Sequence, residues 1–334
     1  MITPESGMLA TPPKSMDSSH LDKLICLHCG TQYEEVDRAL RKNCRICDDP
    51  RDSVSPTGPA WVTLRELYST PSPKNANEPK YRISLWTDPK EPTVTVLSTQ
   101  PKFAIGQSPF VLKTPHGLVI WETMTYLDKA TVDAIKLIGE VKAIAISHPH
   151  FYSTHLAWSA AFGDVPIYLP KADDKWRQTV DKNDVIRYFE GEVEIVPGCK
   201  IVQVGGHFPG SSVLEFDGKL FIADTLNMTP AALYHFNRPK GISSFSFLFS
   251  VVNSIPLPPS EIVRMWSVIK KLDFSTVYGV SQRVPKARHI LRDAEMDEGE
   301  KKSGRTVKFK VLDSMRIQIR AMGYEITPEM ELEL

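Results

Sequence analysis

Two C-x2-C pairs, Cys26-Leu27-His28-Cys29 and Cys44-Arg45-Ile46-Cys47, stand fourteen residues apart in this chain. Four thiolates at that spacing close a tetrahedron around zinc, each pair clasping one edge. Such a site is full: it stabilises a fold and leaves no open position for chemistry. Gly30, directly after the first pair, suits the tight turn of a zinc knuckle. The competing reading is four unrelated or redox-active thiols. His28 reads as a surface residue rather than a further ligand.

The segments around the cysteines divide the chain. Residues 1–20 are rich in Ser, Thr and Pro and read as a disordered tail. Residues 21–70 read as a zinc-ribbon-like module followed by a short helix, Ala60 to Tyr68, with Trp61, Leu64 and Leu67 on one face. The Pro/Asn-rich stretch 70–80 is a linker or surface loop. From residue 81 to 325 strand and helix signals alternate. Strands are expected at 110–112 and 118–121, joined by a turn at Pro115-His116-Gly117, and at 141–146, 165–169, 193–196, 201–204, 212–216, 220–222 and 276–278. Helices are expected after Asp128 as N-cap, at 154–162, as a capped amphipathic helix at 260–271, and at 309–322. The charged run 296–306 reads as a mobile insertion. Alternation of this kind over about 230 residues argues a layered α/β domain.

The 40 basic and 40 acidic side chains cancel, so nothing favours a polyanion partner and no nucleic acid is expected. The first 20 residues lack the apolar core of a secretory signal. The most apolar late stretch, Phe245 to Pro258, is broken by serines and Asn253 and is too short to span a bilayer. Four of the five cysteines lie in the two pairs, which suits metal binding in a reducing compartment. A cytoplasmic protein without a membrane partner is expected. The fifth thiol, Cys199, reads as a small apolar filler.

Three further segments carry metal-ligand types. The apolar strand at 141–146 runs into Ser147-His148-Pro149-His150. Two histidines at i and i+2 after a strand point into one cleft, and Pro149 restrains the backbone between them. Gly205-Gly206-His207-Phe208-Pro209-Gly210 places a histidine in a Gly/Pro turn between strands, and Asp224 ends the apolar run Leu220-Phe221-Ile222-Ala223. Three imidazoles and a carboxylate make a shell for zinc or iron.

Together these segments resemble the metallo-β-lactamase superfamily, which includes the hydroxyacylglutathione hydrolases. The family's H-x-H-x-D-H motif falls on His148, His150, Tyr152 and Ser153. Its T-P-G-H-T-P-G-S motif is similar to residues 205–211, and its G-D-T strand end to Ala223-Asp224-Thr225. The run Val119-Ile120-Trp121-Glu122-Thr123 occupies the place of the strand that ends in a buried aspartate. Order and spacing agree over roughly residues 103–280. The resemblance implies a four-layer αββα sandwich and one ion held by His148, His150, His207 and Asp224. The second ion's ligands are replaced by Tyr152, Ser153 and Val280. His155, one turn into the next helix, is either a ligand or proton carrier or a core histidine. Tyr152 either fills the second-ion space or donates a proton or hydrogen bond to substrate.

One ion supports hydrolysis of a small ester, thioester or lactone, with Asp224 as ligand or base. Phosphodiester cleavage usually draws on two ions. A small-molecule substrate follows. The alternative is an abandoned cleft in a catalytically inactive binding protein that docks a protein partner through its zinc module.

Overall fold

The computed structural model describes residues 8–234, 239, 241–279, 289–302 and 304–334. The chain divides into two compact units, Met1–Asp49 with Ser53–Phe189 and Pro50–Asp52 with Glu190–Leu334. The division falls far from the expected linker at 70–80. The cysteine module therefore belongs to a larger unit rather than standing before it. The mixed α/β class holds, with one main sheet and its own helices in each unit.

The first unit carries a seven-stranded sheet in the order Ile186–Phe189, Ile167–Pro170, Val141–Ala145, Gly117–Trp121, Phe110–Thr114, Glu91–Gln100, Arg82–Asp88. Its first four strands run parallel to one another and the rest pair antiparallel. The parallel strands Gly117–Trp121 and Val141–Ala145 read as near-continuous Val/Ile/Ala and are buried on both faces, except for Gly117 and Lys142. Crossovers between them are helical. Lys129–Ile138 starts at Asp128, whose side chain accepts from the Thr131 amide, and His155–Ala161 follows the histidine loop.

Four sequence expectations shift here. Residues 8–20 are packed rather than disordered. Leu9 and Ala10 both donate their amides to Tyr68 O, and Ala10 and Met16 are buried beside Leu64, Leu67 and Tyr68. The helix expected from Ala60 is Leu64–Ser69, because Thr63 and Glu66 form a capping box that starts it there. Trp61 instead lies in the strand Trp61–Val62, paired with Ile25–Cys26. The stretch 70–80 forms a hairpin, Pro71–Ser72 with Asn75–Pro79. The long hairpin formed by Arg82–Asp88 and Glu91–Gln100 was not expected. Its outer strand is mostly exposed, although Tyr81, Ile83 and Leu85 alternate with polar residues, a signal the sequence reading passed over.

The second unit carries a six-stranded sheet in the order Glu192–Val196, Cys199–Gln203, Ser212–Phe216, Lys219–Phe221, Thr276–Tyr278, Ile290–Arg292. Helix Pro259–Ile269 buries Ile262, Met265, Trp266 and Ile269 in the core with Val213, Ile222 and Val277. An 11-residue helix is marginal alone. Four large apolar side chains, each worth about 1.5–3 kcal/mol on burial, decide that it forms. It opens on Pro259 with no side-chain cap, so the capped start expected at Ser260 is not what is found. Helix Val307–Ala321 packs beside it through Val311, Leu312 and Met315. The run read as a mobile insertion holds the helix Glu298–Lys302. It is anchored by buried Met296 and by a buried ion pair, Glu300 to Lys310 at 2.8 Å; Ser303 lies outside the described residues. No helix among the described residues is long and apolar enough to cross a membrane.

Candidate metal centres

The cysteine module is built from two knuckles. In the first, Gly30 N donates to Cys26 O at 2.8 Å and Cys26 N to Thr31 O at 3.0 Å. Gly30 has φ +85°, and a Cβ there would meet Thr125 Oγ1 at 2.2 Å, so the turn requires glycine. In the second, Asp48 N donates to Cys44 O at 2.8 Å. All four thiols are free and buried, and their sulfurs lie within 4.8 Å of one another. Cys26 to Cys47 is 3.7 Å and Cys29 to Cys44 is 3.6 Å. A tetrahedron with Zn–S near 2.3 Å has edges of about 3.8 Å, so the four sulfurs fit zinc. Hydrogen bonds from the thiols of Cys26, Cys29 and Cys47 and from Tyr33 hold Cys44 far below the usual thiol range, which favours a thiolate in the cluster. Cys199 lies apart from the module, buried and pushed up to about 12 by burial, as an inert filler.

His148 and His150 follow the parallel strand Val141–Ala145 of the first sheet, at the end where open α/β sheets place their ligand loops. Phe151 N donates to His148 O and Tyr152 N to Pro149 O, both at 3.1 Å, closing a tight turn Pro149–Phe151 around His150. The two rings meet edge to face at 5.2 Å, with ligand nitrogens within 4.8 Å of each other. Ser147 Oγ lies 2.7 Å from His148 Nδ1 and fixes that ring. Glu122, at the end of the adjacent strand, is fully buried at φ +72°, and both carboxylate oxygens accept from Ser147 N at 3.2 and 3.3 Å. Sequence reading found this strand but not the work of Glu122. The signal was available as an acidic residue ending an apolar run.

Tyr152 and His155 do not join the ligands. Tyr152 is fully buried, and its hydroxyl donates to Asp173 O at 3.4 Å. Burial, reinforced by the nearby Asp173 charge, pushes its phenol well above the usual value. His155 donates from Nδ1 to Tyr152 O at 2.8 Å, and its Nε2 has no partner among the described residues. Burial pulls its imidazole down to about 4, so it is neutral at pH 7. It is a core histidine.

In the second unit His207 and Asp224 form the other pair, with a ring nitrogen and a carboxylate oxygen within 4.8 Å of each other. The loop before His207 closes on Ser211: Val204 N and Gly205 N donate to Ser211 O at 2.8 and 2.7 Å, and Phe208 N donates to Ser211 Oγ at 2.8 Å. Gly206 stands at φ +90°, where a Cβ would lie 2.8 Å from Met265 Sδ, and its amide donates to Glu261 at 2.9 Å. His207 Nδ1 donates to Phe249 O at 2.8 Å. That bond assigns the tautomer, with Nε2 as the ring nitrogen that carries the lone pair. Asp224 is half-buried and follows Ala223, which is held at φ +44°. Thr225 Oγ1 donates to Ser212 O at 2.9 Å and ties this strand end to the neighbouring strand. Both pairs thus offer donors at metal-ligand spacing. Val280 lies outside the described residues.

The uncharacterized protein YmaE of Bacillus subtilis (strain 168) is 32% identical over 268 residues, 78% of this chain and 89% of YmaE. The chain belongs to the YmaE family. No family model matches it. Similar solved structures include VMB-1, 14% identical with a TM-score of 0.44 over 62% of this chain and 93% of that one. The DIM-1 metallo-β-lactamase is 11% identical, TM-score 0.44, over 64% of this chain and 94% of its own. An N-acyl homoserine lactone hydrolase with product at its catalytic metal centre is 18% identical, TM-score 0.30, over 39% and 65%.

Two outcomes are expected for this YmaE-family chain. Changing Cys26 and Cys29 to Ser removes one zinc per chain, measured by elemental analysis, and exposes residues 21–50 to protease; unchanged zinc content contradicts the module. His155 contributes a pH dependence. Its folded value, about 4, lies below the ordinary 6.5, so the unfolded chain binds the proton first and stability falls as pH drops from 6.5 towards 4. Between pH 7 and 4.5, wild type should lose roughly 2–3 kcal/mol more than His155→Gln in denaturant titrations. Equal losses would mean that the ring is not kept neutral by burial.

Proposed function

We propose that the chain is a metal-dependent hydrolase of a small ester, thioester or lactone, with one zinc or iron ion held by His148, His150, His207 and Asp224. The observation that carries this reading is the Nδ1 bond from His207 to Phe249 O at 2.8 Å. With Nδ1 so committed, Nε2 is the nitrogen that would serve an ion, and a ring nitrogen of His207 lies within 4.8 Å of a carboxylate oxygen of Asp224. The contact of His148 Nδ1 with Ser147 Oγ fixes a second ring in the same way.

A divalent ion held by such a set supplies Lewis acidity, polarising a carbonyl and making water nucleophilic near neutral pH. The chain's own residues do the rest. His148, His150 and His207 would each present a ring nitrogen, with the rings of His148 and His207 oriented by Ser147 Oγ and Phe249 O. Asp224, half-buried, would serve as a ligand or as the base that takes up a proton from the attacking water. The count of one ion rests on Tyr152: a buried phenol bound to Asp173 O, raised by burial, is not a phenolate ligand. Attack on a carbonyl develops one oxyanion, which one ion stabilises, so ester and thioester chemistry suits this set better than phosphodiester cleavage.

The test is a panel of esters, thioesters and lactones offered to metal-loaded wild type and to His207→Ala. The variant should keep its module zinc and lose turnover by more than the roughly 10–100-fold seen when only a ligand's supporting partner is removed. Equal rates in both proteins would place the activity elsewhere. No turnover together with no metal on the histidines would leave a binding protein.

A further inference from the structure

Two side chains outside both ligand sets hold the histidine loops, each within its own unit: Gln107, bonded to the first cysteine knuckle, and Arg51, from the strap Pro50–Asp52. Gln107 is buried, and its amide nitrogen donates twice, to Cys29 O at 2.7 Å and to His150 O at 3.1 Å. One NH2 group thus spans the first zinc knuckle and a ligand residue. Two further bonds join the same pieces. Gln32 N donates to Ser153 O at 3.0 Å, and Thr125 Oγ1 donates to Gly30 O at 2.9 Å. Ser153 is held at φ +37°, a conformation that costs a non-glycine residue energy unless neighbours impose it.

Arg51 does the equivalent in the second unit. It follows Cys47 by four residues, in the strap Pro50–Asp52. Its Nε donates to His207 O at 2.5 Å. Its guanidinium lies over the Phe208 ring at 4.5 Å and the Phe249 ring at 4.3 Å. Phe249 is also the residue whose carbonyl orients His207 Nδ1. Arg51 therefore touches the ligand's backbone and the residue that sets its tautomer. The strap is tied down along its length. Ser250 Oγ donates to Arg51 O at 2.9 Å, and Asn253 Nδ2 donates to Pro50 O and Asp52 O at 3.1 and 3.0 Å.

We propose that two residues outside the ligand sets position the ligand loops, each within its own unit: Gln107 couples the first cysteine knuckle to His150, and Arg51 holds the loop of His207, so that they set how tightly the histidines hold their ion. The metal-affinity half of this rests on the hydrolase reading above; the loop-ordering half does not. Arg51 and Gln107 are positioning residues and touch no substrate. A planar, always charged guanidinium is needed at Arg51, because an ammonium can donate to His207 O but cannot stack flat between two rings.

The experiment uses full-length Arg51→Ala, Arg51→Lys and Gln107→Leu beside wild type, all loaded with zinc. Zinc retained against a graded series of chelators is read together with amide hydrogen exchange. In Arg51→Ala the module zinc should stay, the second zinc should be lost at tenfold or lower chelator strength, and exchange over residues 205–211 should speed at least tenfold. Gln107→Leu should do the same for residues 148–153 while leaving 205–211 slow. Arg51→Lys should recover part of the loss. A lowered melting temperature with unchanged loop exchange and unchanged zinc retention would show a general stabilising role and overturn the proposal. If wild type holds no zinc on its histidines, the hydrolase reading fails, and loop exchange alone then decides the positioning role.

Discussion

An imidazole is best prepared as a metal ligand when its second nitrogen is committed elsewhere, because that commitment fixes both the tautomer and the ring plane. In this chain the commitment is made by His207 Nδ1 to Phe249 O. Around it the loop is over-determined. Two glycines leave room for Arg264 and Met265, Ser211 closes the turn from inside, and Arg51 holds the His207 carbonyl. The cost of this order appears in the backbone. Glu122, Ser153 and Ala223, all non-glycine, are left-handed, and each stands beside a ligand or the residue that orients one. Strain of about 1–3 kcal/mol at each such residue persists only where the surroundings impose it, and it tends to cluster at working sites.

The cysteine module gains a different meaning from its position. A full four-sulfur site has no open position for chemistry. A separate ribbon would be a docking accessory, whereas here the first knuckle is bonded to the loop that carries His150, and the strap after the second knuckle is bonded to the loop that carries His207. Zinc affinity in such modules is folding free energy. On the proposal above, ordering 21–50 would also order the Cys29 carbonyl that Gln107 binds.

The sequence made the ligands legible because their types are rare at strand ends and their spacing is chemical. His148, His150, His207, Asp224 and the four cysteines were all named from it, and the strands that carry them fell within a few residues of their observed bounds. What was illegible was long-range support. Nothing local marks Gln107 as a bridge between residues 29 and 150, or Arg51 as a partner of residue 207, since both depend on packing between distant segments. The strand Arg82–Asp88 was missed although Tyr81, Ile83 and Leu85 alternate with polar residues, because the alternation is short and most of the strand is exposed. The packed tail 8–20 was missed because Ser- and Pro-rich composition says little when two apolar side chains and a few backbone bonds suffice to dock it.

The most direct measurement is anomalous diffraction at the zinc and iron edges from crystals of the protein as isolated. Two sites per chain are expected. One is ringed by Cys26, Cys29, Cys44 and Cys47 at about 2.3 Å, and the other by the nitrogens of His148, His150 and His207 at about 2.0–2.1 Å with an oxygen of Asp224. Two ions about 3.5–4 Å apart at the histidines, or a single peak at the cysteines and none at the histidines, would contradict a one-ion hydrolytic centre.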